Sequence, residues 1–447
     1  MAGRPSSRKI LDVWMNGELV GHWTFTSAGV HSFAYDQAWL ENPQRRSLSL
    51  SLPLSQGATP FSGKVVEFYF DNLLPDSMSI RKRLASKFGA ESIHAFQLLE
   101  KIGRDCVGAI QLLSGGGPAP DVRRIDAEPL SASDIERILD DTVSNRSIGV
   151  PEEDELRISI AGAQEKTALL WHNDQWCRPR GTTPTTHILK LPLGEVGGMR
   201  ADFSTSVENE WLCAKLLRAY GLPVADSTFG MFGRHKVLVV TRFDRRLIDN
   251  WWARLPQEDF CQATGMSPDQ KYEENGGPGI STILDILRGS DNAEVDRTNF
   301  MTAQLIFWML AAPDGHAKNF SIFIGQQDHF LLTPIYDVMS AWPIIGKEAR
   351  EFQWKKVKMA MALRSKNAHY RMAEIQRRHW NEVAKANALG SDFEAVIQRL
   401  VAITPEVIES VSKELPVGFP TIVSERIFSG LLDQVDRLKG ASKNSKF

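Results

Sequence analysis

Asp314-Gly315-His316-Ala317-Lys318-Asn319 follows directly on a helical run, Thr298 to Ala312, in which Phe300, Met301, Leu305, Trp308 and Met309 recur at helical spacing. Polar and tiny residues leaving an apolar helix make a loop held on a rigid scaffold, which is how catalytic loops are usually built. Asp314 is a candidate proton acceptor. Asn319, five positions on, offers an amide oxygen to a cation. Protein kinases place an Asp and an Asn at this spacing, the first as base and the second on magnesium. Taken alone, the segment reads equally as a polar helix-to-strand turn with an Asx cap.

Working outward, Tyr336-Asp337 lies eighteen positions past Asn319, after the strand-like run Phe330 to Ile335. An acidic residue at a strand end shortly after the catalytic loop is where a kinase holds its second metal ligand. Magnesium keeps several waters, so one carboxylate and one amide oxygen suffice. Upstream, Lys190 sits in the apolar strand His187-Ile188-Leu189-Lys190-Leu191, where a charge needs a partner. Glu210, twenty residues on, shares a stripe of the helix Val207 to Tyr220 with Val207, Ala214 and Leu217. A strand lysine paired with a helix glutamate is the kinase device for holding the α- and β-phosphates. Before these comes Ser159-Ile160-Ala161-Gly162-Ala163-Gln164-Glu165-Lys166-Thr167, a small-residue turn whose backbone could approach phosphates. It lacks the Walker A ending. Each piece also has a plain reading: a turn aspartate, an edge-strand lysine, a helix-surface glutamate, a hairpin turn. Their order is more telling. Loop, lysine strand, glutamate helix, the valine-rich run Val237 to Phe243 as hinge, then D-x-x-x-x-N and a strand-end Asp is the kinase order. The H-R-D and D-F-G signatures are absent, which predicts an atypical branch.

The rest of the chain sets the frame. Its 447 residues are too many for one ordinary core, so two domains or a two-lobed one are expected. A net charge of −2 argues against strong nucleic-acid binding by the chain alone. Cys106, Cys177, Cys213 and Cys261 form no C-x-x-C pair, which suits a reducing cytoplasm. No apolar run reaches membrane-spanning length, and no signal peptide is read. Ile10 to Met15 and Leu19 to Phe25 flank Asn16-Gly17 as a hairpin. Ser47 to Leu52 and Val65 to Phe70 read as further strands, and Ser79 to Phe88 and Ser133 to Asp141 as helices. The expected division is a β-rich domain over 1–117, a linker over 118–150, an N-lobe over 151–245 that opens on an acidic run at Glu152 to Glu155, and an α-helical C-lobe over 246–447. The C-lobe closes on helices Phe393 to Leu415 and Val423 to Leu438 and a frayed tail, Ser442 to Phe447. Gly194 to Ser206 reads as a mobile activation-type loop. Trp251 and Trp252 read as core or interface, and Arg377-Arg378-His379 as the best candidate contact to a DNA backbone.

Several stretches together resemble HipA, a family of serine/threonine kinase toxins: Ser159 to Thr167, Thr183 to Lys190, Arg242-Phe243-Asp244-Arg245, Leu255 to Asp259, Gly276-Gly277-Pro278-Gly279 and Asp314 to Phe320. Phe70-Asp71-Asn72-Leu73-Leu74-Pro75 resembles the family's N-terminal domain, so the likeness spans nearly the whole chain. Pro313 departs from the pattern, where a threonine is expected; it stiffens the approach to Asp314 and removes an N–H donor.

The resemblance implies an α+β, two-lobed atypical protein-kinase fold similar to lipid kinases. It implies ATP and Mg²⁺ as cofactors. Asp314 carries over as base, Asn319 and Asp337 as metal ligands, and Lys190 as a phosphate contact. Ala161, Gly162, Ala163, Gln164, Glu165 and Lys166 would form the phosphate loop. Thr241, Arg242 and Phe243 would meet adenine, and His316, Ala317, Lys318, Asn319 and Tyr336 would line the nucleotide site. Ser159 matches the serine that such kinases phosphorylate on themselves. The implied partners are a helix-turn-helix antitoxin, operator DNA through that antitoxin, and a protein substrate such as glutamyl-tRNA synthetase, phosphorylated to arrest growth and favour persistence. Two other readings stay open. A metal-dependent phosphohydrolase would use Asp314, His316, Asn319 and Asp337 without Lys190. An inactive corepressor would only bind antitoxin and DNA.

Overall fold

The computed structural model describes residues 8–54, 59–143, 159–162, 164–197 and 200–440. The acidic run Glu152 to Glu155, Ala163, Gly198 and the tail Ser442 to Phe447 lie outside the described residues.

The N-terminal domain is built on a five-stranded antiparallel sheet. In spatial order its strands are Phe61–Ser62, His31–Tyr35, Glu18–Phe25, Lys9–Met15 and Ile110–Ser114. Asn16 and Gly17 both have positive φ, 49° and 87°, as a tight two-residue hairpin requires. Helices Lys64–Asp71, Met78–Lys87 and Ala95–Ile102 cover one face. Trp23 stacks on Phe70 with centroids 3.9 Å apart and meets Phe96 edge-on at 4.8 Å. The expected strand Val65 to Phe70 is therefore a helix. Its β-branched and aromatic residues favour strand locally, but as a helix the run buries Val66, Tyr69 and Phe70 against the sheet. Ser47 to Leu52 is not a paired strand either. It is an irregular segment with one bridge, Ser49 to Leu52. Its polar groups turn to the C-lobe: Leu50 N–H donates to Glu258, and the Ser49 and Ser51 hydroxyls donate to the Gln262 carbonyl.

The N-lobe is a six-stranded antiparallel sheet: Ser227–Phe232, His235–Thr241, His187–Lys190, Lys166–His172, Gln175–Pro179 and Ala127–Pro129. The last strand falls in the segment expected to be a linker. Ala127–Pro129 pairs with Gln175–Pro179, and the next helix, Ala132–Val143, packs Ile135, Ile138 and Leu139 on Leu169, Leu189 and Val237. Residues 127–143 thus belong to the lobe. Composition alone hid this, because a three-residue edge strand has no periodicity to read.

The C-lobe is mostly helical. Ala293–Met309 starts with polar, partly exposed turns and is buried on every side from Phe300 onward, where nearly all its residues are apolar. Around it pack Ile280–Ile286, Arg377–Ala386, Glu394–Lys413 and Thr421–Leu438. Truncating a fully buried residue such as Trp308 to Ala would cost about 3–5 kcal/mol. The lobe is not all-α as expected: it adds a three-stranded sheet (Gln257–Asp259, Ser321–Ile324, Phe330–Leu332) and a two-stranded ribbon (Lys358–Arg364, Ala368–Arg371). The small sheet is what carries the catalytic-loop segment away from its helix. Among the described residues no helix is long and apolar enough to cross a membrane.

Candidate active site

A cleft between the lobes gathers the expected residues. It is lined by Ile160, Ala161, Gly162, Lys166 and Lys190 from the N-lobe sheet and by Glu210 from its helix. Asp314, His316, Lys318, Asn319, Tyr336 and Asp337 close it from the C-lobe, and Thr241, Arg242 and Phe243 lie at its back.

Lys190 ends a strand flanked by Lys166–His172 and His235–Thr241, so its backbone is fixed on both sides. Its ammonium lies 2.5 Å from Glu210 Oε1 and 2.7 Å from Asp337 Oδ1. Lys190 and Glu210 are almost wholly buried. Burial by itself disfavours the lysine's charge, but Asp337 and then Glu210 more than offset that, and its pKa is raised. Burial likewise pushes the Asp337 carboxyl up, and Lys190 and Lys166 pull it below the usual carboxylate range. Asp337 has φ of 60°, a left-handed conformation that a non-glycine residue rarely adopts. The neighbouring backbone enforces it: Ile335 N–H donates to the Pro223 carbonyl, and Ala225 N–H donates to Ile335.

The catalytic-loop segment is pinned from within. His316 N–H and the Asn319 side-chain amide both donate to the Asp314 carbonyl, at 2.8 and 2.7 Å. The Asn319 amide nitrogen is thereby occupied, which leaves its oxygen for a cation. Gly315 is required by a close approach, since a Cβ there would meet the Phe307 ring at 2.4 Å. The Asp314 carboxylate is about half exposed and accepts a hydrogen bond from the Tyr272 hydroxyl. His316 is buried, its pKa is lowered by that burial, and its Nε2 stands 3.7 Å from Asp314.

Other expected residues do different jobs. Lys318 donates to the Asn72 carbonyl and side chain, both at 2.9 Å, and lies 3.4 Å from Asp76. Its charge is held by the N-terminal domain. Arg242 contributes its backbone to the cleft, while its guanidinium enters a fully buried cluster with Asp105, Asp244, Arg245 and Arg254. It locks the interlobe segment to the N-terminal domain and cannot also reach a base. Thr241 ends the hinge strand, and Phe243 packs on Tyr336 with centroids 5.6 Å apart. Tyr336 itself is anchored through its hydroxyl to Ser321 and to the Lys318 carbonyl. Ala317 is buried beneath the loop.

In the phosphate-loop segment, Gln164 donates to the Leu191 carbonyl at 2.6 Å and Glu165 pairs with Arg83. Lys166 donates to the Ala161 carbonyl at 2.7 Å across the Gly162 turn. Burial lowers the Lys166 pKa. Ser159 is completely buried, with its hydroxyl donating to the Leu73 carbonyl at 2.8 Å. The run Gly194 to Ser206, expected as a mobile loop, forms a short hairpin, Gly194–Val196 with Ala201–Phe203. Arg377 is bound to Glu394 and to the Leu438 carbonyl, whereas Arg378 is exposed and makes one contact from its Nε to His379 at 3.4 Å.

Three functional features were not read from the sequence: Tyr272 on Asp314, the Asp76 bridge to Lys271 and Lys318, and the Asp105 cluster. Only the Gly276-Gly277-Pro278-Gly279 run hinted at the first.

The HipA-like C-terminal domain matches residues 158–411, and the HipA N-terminal domain matches residues 11–113. The chain belongs to the HipA family. It is 33% identical over 417 residues to Y4mE of Sinorhizobium fredii, which carries a provisional kinase name, covering 91% of this chain and 92% of that protein. It is 29% identical over 352 residues to the serine/threonine-protein kinase toxin HipA of Shewanella oneidensis, covering 74% of this chain and 75% of the toxin. The solved HipA of Shewanella oneidensis MR-1, in complex with HipB and operator DNA, superposes with a TM-score of 0.76 at 23% identity, covering 96% of this chain and 97% of that one. The fold is the two-lobed HipA kinase fold, preceded by the family's N-terminal domain.

Proposed function

We propose that this HipA-family chain is an ATP- and Mg²⁺-dependent serine/threonine protein kinase, acting as the toxin of a toxin–antitoxin pair. The observation that carries the reading is the convergence, in one cleft, of a lysine clamped by Glu210 and Asp337 with a half-exposed carboxylate at Asp314. A hydrolase has no need of that clamped lysine.

The residues present fit the nucleotide and metal. Lys166 and Lys190 supply positive charge beside a small-residue turn. Ile160, Ile188, Val224 and Ile335 offer apolar walls for a base. The Asn319 amide oxygen and the Asp337 carboxylate suit a hard cation. Bound magnesium ATP would supply the phosphoryl group and neutralise its charge. Within the chain, Asp314 accepts the proton of the acceptor hydroxyl, and Asn319 holds the loop carrying that base in place. Glu210 keeps Lys190 extended toward the phosphates. The acceptor hydroxyl approaches from a broad groove that shares Asp314 and Asp337 with the cleft.

Three finer points belong to the same proposal. The substrate is a translation protein, glutamyl-tRNA synthetase being the first to try. Phosphorylation of Ser159 by the kinase itself is the off-switch: a phosphate there cannot keep the buried contact to Leu73, and its nearly two negative charges would drive the turn outward. The antitoxin is a small helix-turn-helix protein that brings the pair to operator DNA, with Arg377 and the exposed Arg378 as this chain's own contact to the DNA backbone.

Incubation with γ-labelled ATP, Mg²⁺ and glutamyl-tRNA synthetase tests the reading. Label on serine or threonine, lost in Asp314→Gln and Asp337→Ala, is expected. Release of free phosphate with no labelled protein would overturn it in favour of a phosphohydrolase.

A further inference from the structure

Tyr272 stands outside every motif used so far. It lies in the link Lys271-Tyr272 between two single-turn helices, Pro268–Gln270 and Glu273–Asn275, and lines the groove beside Pro313 and Asp314. We propose that Tyr272 is the positioning residue for the catalytic base: its hydroxyl holds one oxygen of Asp314 so that the other faces the acceptor. This rests on the kinase reading above.

The support is geometric. Asp314 is fixed through its backbone, but the Tyr272 hydroxyl is the one donor seen on its carboxylate among the described residues. Without it no hydrogen bond among the described residues would hold the half-exposed side chain, since His316 Nε2, at 3.7 Å, stands beyond hydrogen-bond distance. The tyrosine in turn is held rigidly. Asn275 N–H and Gly277 N–H both donate to the Tyr272 carbonyl, at 3.0 and 3.1 Å, and Ala317 N–H donates to Lys271. Gly277 passes so close to the Gln270 carbonyl that a Cβ would lie 1.8 Å from it, which explains the glycine-rich run. The residues on either side are anchored as well: Lys271 pairs with Asp76 at 2.8 Å, and Glu273 accepts from Ala362 N–H at 2.6 Å. The ring meets His316 edge-on at 5.1 Å, so the catalytic-loop segment itself sets its tilt. Tyr272 does not line the nucleotide cleft, so removing its hydroxyl should leave ATP binding alone. Fixing a base within a few tenths of an ångström matters for rate, because proton transfer needs hydrogen-bond reach and alignment.

The test compares full-length wild type, Tyr272→Phe and Tyr272→Leu. Transfer of γ-phosphate from MgATP to the chain itself and to myelin basic protein is measured beside KM for ATP and thermal unfolding. Tyr272→Phe should lower kcat roughly tenfold or more, the equivalent of one hydrogen bond to a charged group, with KM for ATP and unfolding unchanged. Tyr272→Leu should lose no more than Phe does. A Phe variant at wild-type rate overturns the proposal, as does a loss that comes with weakened ATP binding or a lower unfolding temperature. If wild type itself transfers no phosphate, the kinase reading falls and the role of Tyr272 with it. If wild type is active and Phe is unaffected, only the role falls.

Discussion

Replacing Lys190 by Met removes the one cation between two carboxylates and keeps the side chain's bulk. The facing oxygens of Glu210 and Asp337 lie 2.5 and 2.7 Å from the same nitrogen. They are therefore no more than about 5 Å apart, and two unit charges at that distance repel by about 3 kcal/mol at an effective dielectric of ~20. Lys166 stays nearby and takes up part of this. The penalty should depend on pH, and the sign is fixed. In the variant, burial and the facing like charge raise one carboxyl pKa in the folded state above its unfolded value. A group raised in that way stabilises below the unfolded pKa and loses that contribution as pH rises. Lys190→Met should thus cost little near pH 4 and about 2–3 kcal/mol at pH 8. Urea unfolding of the nucleotide-free chain at both pH values reads this directly. The double variant Lys190→Met, Glu210→Gln removes one charge and should recover most of the loss at pH 8, while phosphoryl transfer stays abolished. A penalty equal at both pH values, or a double variant less stable than the single one, would show that the three groups are not electrostatically coupled.

Further outcomes are expected elsewhere in the molecule. Mass spectrometry of ATP-treated protein should find phosphate at Ser159 in the wild type and none in Asp314→Gln; a wild type that labels substrate but never Ser159 removes the off-switch. Burial raises the Glu258 pKa to about 8, so its contribution to stability is complete below pH 4.5 and is lost as pH rises through 8. Glu258→Gln, which keeps an acceptor for Leu50 N–H, should therefore gain on wild type in denaturation midpoint between pH 5 and pH 9; parallel curves would count against a buried neutral carboxyl. Asp76 is shifted the other way. Burial would raise it, but Lys318 and Lys271 bring it to about 2. Asp76→Asn should cost about 1–3 kcal/mol at neutral pH and close on wild type as pH falls from 3.8 toward 2, as followed by acid unfolding.

Much of the cleft was legible because its residues act through local signals. A lysine in an apolar strand, a glutamate on an apolar helix stripe and polar residues leaving a buried helix all violate patterning, and each violation proved to have a structural cause. Lys190 and Glu210 meet as expected because strand and helix periodicities fix which way each side chain points. Legibility failed where long-range packing decided the outcome. Val65 to Phe70 has strand propensity, yet Trp23 and Phe96 reward the helix. Ala127–Pro129 becomes a strand only because Gln175–Pro179 offers it an edge. Arg242 looked like a hinge residue facing the base, but its guanidinium is drawn into the cluster around Asp105, 137 residues away in sequence. No window of sequence contains that partner. Tyr272 was missed for the same reason, being 42 residues from Asp314 and in a segment with no periodicity at all.

A further set of long-range contacts does share one origin. Asn72-Leu73-Leu74-Pro75-Asp76 leaves a helix of the N-terminal domain and enters the cleft between the two kinase lobes. On the N-lobe side, Asp76 N–H donates to the Gly162 carbonyl at 3.1 Å, and the Ser159 hydroxyl donates to Leu73. On the C-lobe side, Asn72 receives Lys318 and Asp76 receives Lys271, the residue next to Tyr272. One five-residue segment therefore touches the turn that would cover phosphates, the loop that carries Asp314 and the neighbour of Tyr272. A change at any of these contacts can reach the other two through a single short stretch stiffened by Pro75. Phosphate on Ser159 would break the Leu73 contact first, so its effect need not stop at nucleotide affinity: the same segment also holds the residues that orient Asp314. This makes the N-terminal domain part of the wall of the proposed active site, and it explains why a segment with no chemistry of its own carries a buried Asn72 and a largely covered Asp76, whose side-chain partners among the described residues lie in the kinase lobes or in their own helix.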